Sequence, residues 1–400
     1  MRTGKWKWLP MAALLLIGLG AGCGDFWQAP SSTGSSGSCT TNCTTATSGN
    51  FYILNSGTTP EIAGASIVSG SLTAISGSPW ALEGSPYSMA IAPNGDFLIV
   101  GTTSGVFAFP ITNGVLGTAV VVSTDQAFAV QVDATDSWLI EAIPGIGGVT
   151  IGAVPINSTT GANNGSEQTV SFTVTNAAVQ TNKMVLSQDN LNIFIALGAG
   201  GTIVVPFSAG VTAGNNPLGA KATTIAVANA SGSATSVAVD PSTTPRLFYI
   251  GETLADSAGT SGGLRVFNYD SLGSTPTQAT GSPIASGGLS PSFILPIASG
   301  EYVYVANGAG TATGNVTGFS ITSNGATTPV YTVATDTATA AGVAPLGLAE
   351  DSTSTFVLAV GSQGSPYFDA YTFDTTTLGQ LDSQIVSTSS VGSIAIVAAP

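Results

Sequence analysis

Short apolar runs separated by turn residues recur along this chain, most clearly from Ser85 to Val122. Four runs rich in Val, Ile and Phe lie in this stretch, and they are separated by Pro93–Asp96, Thr102–Gly105 and Thr112–Gly114. Runs of this length with Gly, Asn and Asp between them predict antiparallel strands joined by tight turns. Four strands in about forty residues correspond to one blade of a β-propeller.

The same unit recurs from Phe51 to the end of the chain. Seven copies of its second strand align, and most of them begin with an aromatic residue: Phe51–Leu54, Phe97–Val100, Trp138–Glu141, Ile193–Ala196, Leu247–Ile250, Tyr302–Val305 and Phe356–Ala359. The anchor positions of the first strands are 41 to 57 residues apart. This spacing is typical of four-stranded blades with loops of variable length.

The two ends of the repeat region are complementary. The copy at Phe51 has no first strand before it, whereas Ser390–Pro400 has the pattern of a first strand with nothing after it. The sequence therefore predicts an all-β fold, a seven-bladed β-propeller of four-stranded antiparallel blades, closed by the C-terminal strand pairing with the N-terminal blade. Alternation along that strand predicts that Ile394, Ile396 and Ala398 pack together on one side of the blade.

The N-terminus has the layout of an export signal. Met1–Lys7 is basic, and Leu9–Ala21 is an apolar segment of thirteen residues, too short to span a bilayer comfortably. Gly20–Cys23 resembles the lipobox of bacterial lipoproteins, with Gly20 where Leu is usual. We expect residues 1–22 to be a signal peptide and Cys23 to carry the membrane lipid, which places the protein in the bacterial cell envelope outside the cytoplasm. An ordinary signal cleaved nearby and an uncleaved anchor are the alternatives.

Residues 23–50 are rich in Ser, Thr and Gly, and this composition predicts a flexible tether before the propeller at 51–400. Cys39 and Cys43 are close enough to form a small disulfide in an oxidising compartment. A metal site needs more ligands than two cysteines, and the chain contains no His. A local disulfide is therefore the favoured interpretation.

The acidic net charge of the chain excludes some classes of binding partner. The chain has 21 acidic and 7 basic residues, and removal of Arg2, Lys5 and Lys7 with the signal leaves four basic residues. Such a surface repels nucleic acid. It serves solubility or, as the alternative, binds cations. The absence of His excludes Ser-His-Asp and Cys-His catalysis.

Acidic residues are predicted to gather at one mouth of the central channel. The loops that lead into each blade, and those between second and third strands, carry Glu61, Glu83, Asp125, Glu252, Asp256 and Asp336, with Lys183 as one of few basic residues. Arg246 is expected at the opposite mouth, and Arg265 opens a third strand and can point to either face. We expect Glu83, Glu252, Asp256 and Arg265 to contribute to ligand binding.

Glu141 occupies the last position of its second strand, where the other six copies have apolar residues. An isolated carboxylate in such a position costs several kcal/mol unless it is paired, hydrated or bound to metal. We therefore predict a channel carboxylate with a raised pKa that serves as a catalytic base or as a ligand. The alternatives are a solvated blade edge and a structural ion pair with Arg265 or Lys183.

Gly77–Gly101 and Thr280–Gly308 each combine a Pro before the first strand with an aromatic-led second strand, and Gly77–Gly101 also has a Pro-Asn-Gly-Asp turn. These segments resemble the lactonase-type seven-bladed propeller family, which includes 6-phosphogluconolactonases and many surface lipoproteins. The resemblance covers about residues 51–400 and implies the fold and, as an activity, lactone hydrolysis. Binding a sugar phosphate needs cationic groups, whereas the mouth of this chain collects carboxylates.

Two function hypotheses follow. The first is a monomeric, membrane-anchored module without enzymatic activity, whose mouth binds a protein, a glycan or a small molecule, or which serves in envelope structure. The alternative is a lactone hydrolase or another hydrolase that uses channel carboxylates, with a divalent cation such as calcium as the compatible cofactor. No cofactor is firmly implied by the sequence.

Overall fold

The structure is a computed structural model. It describes residues 47–211, 214–241, 246–269, 275–308, 314–323, 329–333, 339–340, 343–363, 368–374, 377–387 and 392–400. The predictions for Cys23, Cys39, Cys43 and Asp336 lie outside these residues. No helix in the described ranges is long and apolar enough to cross a membrane.

Seven antiparallel sheets form the blades of the propeller, here numbered from the N-terminus. Blade 1 contains β1 (Phe51–Asn55), β2 (Glu61–Val68), β3 (Ser71–Ala74), β4 (Trp80–Ala81) and the last strand of the chain, β32 (Ser393–Ala398). Blade 2 contains β5 (Pro86–Ile91), β6 (Phe97–Thr102), β7 (Gly105–Thr112), β8 (Val115–Leu116) and β9 (Val120–Ser123). Blade 3 contains β10 (Ala129–Val132), β11 (Trp138–Gly145), β12 (Gly148–Pro155) and β13 (Gln168–Thr173). Blade 4 contains β14 (Met184–Leu186), β15 (Asn192–Ala196), β16 (Thr202–Pro206) and β17 (Thr223–Ile225).

The remaining blades have the same plan. Blade 5 contains β18 (Ala234–Val239), β19 (Leu247–Glu252), β20 (Gly263–Asn268), β21 (Thr277–Gln278) and β22 (Ile284–Ala285). Blade 6 contains β23 (Pro291–Pro296), β24 (Tyr302–Asn307), β25 (Asn315–Ser323), β26 (Pro329–Val333) and β27 (Thr339–Ala340). Blade 7 contains β28 (Val343–Glu350), β29 (Phe356–Gln363), β30 (Phe368–Phe373) and β31 (Leu381–Ser387). The predicted all-β, seven-bladed propeller is confirmed.

The ring closes as predicted, through β32. This strand pairs antiparallel with β1, so that Phe51 faces Ala398 and Ile53 faces Ile396. The buried hydroxyl of Ser393 adds a 2.8 Å hydrogen bond to the side-chain oxygen of Asn55. Blade 1 therefore takes its innermost strand from one end of the chain and its other strands from the opposite end.

The predicted grouping of Ile394 with Ile396 and Ala398 is wrong for Ile394. The register of β32 shifts at this point, because Leu54 faces Ala395 whereas Asn55 faces Ser393. The extra residue is a β-bulge, and a bulge turns the side chains before it to the other face. Ile396 and Ala398 consequently pack against blade 7, and Ile394 packs with the residues between blades 1 and 2.

The core is divided among the contact layers between neighbouring blades, which we call seams. Each seam holds one cluster of buried apolar side chains. In the seam between blades 2 and 3, Phe97 and Ile99 pack with Leu139 and Val154. Because both faces of a blade are covered, the second strands read as continuous apolar runs rather than as an alternation. A charged residue in such a strand is therefore exceptional.

Residues 47–50, which the sequence assigned to the tether, belong partly to the fold. Ser48 is buried, its amide donates to the carbonyl of Ile67, and its hydroxyl accepts from the Ile67 amide at 2.7 Å. The packed domain therefore begins a few residues before Phe51.

Candidate functional site

Three acidic side chains converge in the seam between blades 2 and 3. Asp125 lies in the connection from β9 to β10, Glu141 lies in β11, and Glu167 immediately precedes β13. One carboxylate oxygen of each lies within 4.8 Å of those of the other two. We call this group the acidic trio. Glu141 is fully buried, whereas Asp125 and Glu167 are half-buried.

Strand alternation explains why Glu141 points into this seam. Leu139, two residues earlier on the same strand, packs between blades 2 and 3, and side chains two apart on a strand share a face. Glu141 lies one strand out from the channel, opposite Val130 of the inner strand. The structure thus places it between blades rather than on the channel wall where the sequence analysis expected it.

Gly152 provides the space for the trio. It is the register partner of Glu141 on β12. A Cβ atom at Gly152 would lie 2.2 Å from Oε1 of Glu167 and 3.6 Å from Cβ of Glu141. Glu167 therefore reaches across β12 through the gap that the missing side chain leaves.

The Glu141 carboxyl group has no hydrogen-bonding partner for either oxygen within the described residues. Burial raises its pKa to about 8, and the negative charges of Glu167 and Asp125 act in the same direction. The Ser123 hydroxyl has an opposite, smaller influence, but it forms no hydrogen bond of normal geometry with either oxygen. A carboxyl group with this pKa is mostly protonated at neutral pH.

Glu167 is affected in the same way. Burial raises its pKa to about 7, and Asp125 raises it further through its negative charge and by accepting a hydrogen bond from the protonated form. Oxygen Oε1 of Glu167 has no partner within the described residues. Three oxygens of the trio, both of Glu141 and Oε1 of Glu167, therefore have no hydrogen-bonding partner in the part of the chain that the structure describes.

The basic side chains that could neutralise the trio are bound elsewhere. Arg246 pairs with Asp189, and Arg265 pairs with Glu252 at 2.7 Å; these are the two salt bridges of the described ranges. Lys183 donates to the backbone carbonyl of Leu346. The alternative that Glu141 is paired with Arg265 or Lys183 is thus wrong.

Glu252 and Arg265, both expected to bind a ligand, form a buried structural pair in blade 5. Oε2 of Glu252 accepts the Ala228 amide at 2.7 Å. The guanidinium of Arg265 donates to Gln278 and to the carbonyl of Ala226. Their hydrogen-bonding capacity is largely used by the protein itself, as a buried ion pair requires.

The other predicted site residues lie apart from the trio. Glu83 is exposed in the connection to blade 2. Asp256 accepts backbone hydrogen bonds from Ser261 and Thr260, which lower its pKa. Glu61, whose pKa burial raises, accepts a hydrogen bond from Asn55 at 3.4 Å. The structure does not bring Glu141 together with Glu252 or Asp256.

Lys183 occupies the central channel. It immediately precedes the inner strand of blade 4, yet its Nζ donates to the carbonyl of Leu346 in blade 7 at 3.3 Å. The same atom lies 4.5 Å from the ring centroid of Phe293 in blade 6. Inner strands of separated blades face each other only across the channel, so the amine lies within it. Burial lowers the pKa of Lys183 to about 7.

Aromatic rings lie near the same end of the channel. Tyr87 and Phe128, at the starts of the inner strands of blades 2 and 3, have ring centroids 4.3 Å apart. Both rings are half-buried, as is Phe293. Aromatic walls with few polar groups are typical of small-molecule sites.

Glu167 is the residue that the sequence analysis missed. It lies outside the second-strand alignment that singled out Glu141, in the long connection between β12 and β13. Its proximity to Glu141 depends on the three-strand register and on the gap at Gly152. Gly152 opposite a buried Glu is the signal that a strand-pairing analysis could have used.

Known structures share this architecture. The chain resembles a candidate 6-phosphogluconolactonase from Bacteroides fragilis, with 12% identity and a TM-score of 0.66 over 87% of this chain and 97% of that one. The periplasmic gluconolactonase of Pseudomonas aeruginosa matches with 14% identity and a TM-score of 0.65 over 89% and 100%. A protein of unknown function from Desulfotomaculum acetoxidans matches with 10% identity and a TM-score of 0.60 over 88% and 100%.

No family model and no curated protein sequence matches the chain. At identities of 10–14% the structural likeness establishes the fold, shared with 6-phosphogluconolactonase-like propellers. An activity has to be argued from the side chains of this chain, because one fold supports many functions.

Proposed function

We propose that this propeller is a hydrolase of uncharged lactones, acting at the mouth of the central channel around Lys183. The observation that carries the proposal is the position of the Lys183 amine in the channel, 3.3 Å from the Leu346 carbonyl and 4.5 Å from the Phe293 ring, without an ion pair within the described residues. Burial there lowers its pKa to about 7. At neutral pH such an amine is present in both protonation states. It can therefore accept and return a proton during one reaction cycle.

The chemistry requires one water molecule and no other reactant. The neutral amine of Lys183 takes a proton from water while the water oxygen bonds to the lactone carbonyl carbon. The resulting ammonium group faces the oxyanion that develops on the carbonyl oxygen and stabilises it. It then returns the proton to the ring oxygen as the carbon–oxygen bond of the ring breaks, which yields a hydroxy acid and the neutral amine.

The channel is better suited to this reaction than the acidic trio. Ester hydrolysis develops negative charge on the carbonyl oxygen, and among the described residues the channel holds a basic side chain, Lys183, that can stabilise this charge, whereas the trio holds none. Glu141 is also fully buried between two blades. We therefore assign the proton-transfer role to Lys183. For Glu141 we keep the other predicted role, that of a ligand to a bound cation.

Substrate charge follows from the composition. The chain carries a net charge of −14 and contains no His. A phosphorylated lactone would meet this negative field with Lys183 as its one cation in the channel among the described residues. An uncharged aldonolactone avoids that cost, and the gluconolactonase of Pseudomonas aeruginosa with the same fold supports this substrate class.

Export and lipid anchoring belong to the same proposal. The basic start, the apolar segment Leu9–Ala21 and the lipobox-like Gly20–Cys23 support a lipoprotein that acts outside the cytoplasm. A lactone hydrolase there would act on compounds of the periplasm or of the surroundings.

The proposal is tested with the full chain and glucono-δ-lactone, by following acid release in weakly buffered indicator solution. We expect hydrolysis clearly above the spontaneous rate, and its loss in Lys183→Met. Lys221→Met is the matched control, because Lys221 is exposed in blade 4. A wild-type rate equal to the spontaneous rate would overturn the proposal and favour a binding module without enzymatic activity.

A further inference from the structure

We propose that the acidic trio is a binding site for one divalent cation, with Ca²⁺ as the ion that fits it best. The bound ion would join the connection from blade 2 to β11 of blade 3 and to the segment that precedes β13. This inference does not depend on lactone hydrolysis, because Lys183 lies in the channel and the trio lies in a seam.

Glu141 provides the observation that points to a ligand. Its side chain is fully buried, and neither carboxyl oxygen has a partner within the described residues. One carboxyl oxygen of Glu141 lies within 4.8 Å of a carboxylate oxygen of Asp125 and of one of Glu167. Buried polar groups are almost always satisfied in native proteins, so a partner for these oxygens is expected.

Among the described residues, no protein group supplies that partner. Arg246 and Arg265 are engaged in their own salt bridges, and Lys183 is bound to a backbone carbonyl across the channel. Lys221 is exposed in blade 4. A cation from solution that binds the carboxyl groups in their deprotonated form would supply the missing partner.

The donor set determines the kind of cation. All three side chains offer carboxylate oxygens, which are ligands for hard cations such as Ca²⁺ and Mg²⁺. Oxygens within 4.8 Å of one another can share one Ca²⁺, whose ligands lie at about 2.3–2.6 Å. Mg²⁺ demands shorter distances and a stricter octahedral arrangement. Asp125 and Glu167 are half-buried, so water can complete the coordination shell.

The fold has kept space for this arrangement. Gly152 lies opposite Glu141, and any side chain at that position would collide with Oε1 of Glu167. In blade 5 the equivalent pair is Ile250 and Arg265. There the guanidinium group of Arg265 neutralises the carboxylate of Glu252. Blade 3 has acidic side chains and a gap at Gly152, but no arginine at the position equivalent to Arg265. An ion bound in the gap would take the place of that arginine.

The experiment uses the full chain, freed of metal with a chelator and dialysed. Calorimetric titration with CaCl₂ should show one ion per chain with a dissociation constant of about 10⁻⁵–10⁻³ M. Saturating Ca²⁺ should raise the unfolding midpoint by roughly 3–6 °C. MgCl₂ should bind more weakly.

Glu141→Gln keeps the size of the side chain and should abolish both responses. Because a buried variant could fail to fold, Asp125→Asn in the half-buried connection is the second variant, with binding weakened about tenfold or more. Glu301→Gln, the same exchange at an exposed position of blade 6, is the matched control and should respond as wild type does.

The inference is overturned if wild type shows neither binding nor a shift in midpoint up to about 10 mM Ca²⁺. It is equally overturned if Glu141→Gln or Asp125→Asn binds Ca²⁺ as wild type does. Lactone hydrolysis is not measured in these experiments, so failure of the cation site and failure of the hydrolase are distinguishable.

Discussion

Glu141 and Gly152 face each other across β11 and β12, and the gap at Gly152 is filled by the carboxyl group of a third residue, Glu167. In blade 5 the same two positions hold Ile250 and Arg265. The propeller thus has two solutions for acidic side chains inside a seam. One provides a buried arginine, and the other leaves room for three carboxyl groups.

Filling the gap at Gly152 should weaken Ca²⁺ binding while it leaves the stability of the ion-free protein nearly unchanged. In Gly152→Ala the new Cβ forces the end of the flexible Glu167 side chain to move, whereas the backbone has no close contact there. We expect the free energy of unfolding without Ca²⁺ to change by less than about 1 kcal/mol, and the Ca²⁺ affinity to fall by about tenfold or more. Gly210→Ala, where a Cβ meets nothing within 4 Å, is the control. Unchanged Ca²⁺ affinity in Gly152→Ala would contradict this geometry.

Lys183 should make the stability of the fold depend on pH. Its pKa is lowered from 10.5 to about 7 on folding, so between these values the unfolded chain binds a proton that the folded chain does not. The free energy of unfolding should therefore increase as the pH rises from about 7 towards 10. Below pH 7 the amine is charged in both states, and the folded protein bears the full cost of burying that charge.

Lys183→Met removes this dependence. The variant should be more stable than wild type at pH 6, and the difference should shrink or reverse at pH 9. Urea unfolding at the two pH values measures it, with Lys221→Met as the control. A difference that stays constant between pH 6 and pH 9 would show that Lys183 keeps an ordinary pKa.

Closure by β32 should be essential for the fold. A chain that stops at Ser389 loses the innermost strand of blade 1, including the buried Ala395 and Ile396. Each large apolar side chain lost costs about 1.5–3 kcal/mol, and β1 loses its hydrogen-bonded neighbour. The total is comparable with the usual stability of a domain, about 5–15 kcal/mol. We expect insoluble protein or a much lower unfolding midpoint.

The comparison for this truncation is a deletion of residues 24–46, which stops before Ser48 because Ser48 is hydrogen-bonded to Ile67. That deletion should leave the midpoint nearly unchanged. Closure at β32 would be refuted if loss of the last eleven residues proved as harmless as the deletion of 24–46.

Lipidation is tested on the protein isolated from membranes. Mass spectrometry of the mature N-terminus should find a diacylglyceryl group on Cys23, because this residue follows small residues and an apolar segment. Cys23→Ala should be released from the membrane fraction or remain unprocessed. Cleavage at another site, or a Cys23→Ala variant that is processed and retained in the membrane as wild type is, would exclude the lipoprotein prediction.

The sequence was most informative where a pattern repeats. The closed ring was predictable from seven copies of the second strand, a first copy that lacks its first strand, and a C-terminal first strand that has no second strand after it. Pairing these two ends is the arrangement that leaves no strand edge exposed. The bulge at Ile394 was not predictable, since one extra residue in β32 changes the face of a side chain without changing the apolar pattern. Ser48 was missed because a polar residue in a Ser-rich stretch gives no sign of its buried hydrogen bonds.

The candidate sites show the same limit. Glu141 stood out because six equivalent positions are apolar, but its partners come from two other segments, and only strand register shows that Glu167 lies beside it. Lys183 was expected at the mouth, yet its reach across the channel to Leu346 depends on the ring geometry. Residue type indicated where chemistry is possible, and three-dimensional placement decided which role each group can have.

If Lys183 transfers the proton in lactone hydrolysis, the rate must follow the protonation state of its amine, and a pH–rate profile measures this dependence. After subtraction of the spontaneous rate, kcat/KM of wild type on glucono-δ-lactone should rise with pH, with a midpoint near the pKa of about 7 that burial gives Lys183. Lys221→Met should give the same profile, and Lys183→Met should show no enzymatic rate at any pH. Activity that persists in Lys183→Met with an unchanged midpoint, or that disappears in Glu141→Gln while Lys183→Met remains active, would contradict proton transfer by Lys183.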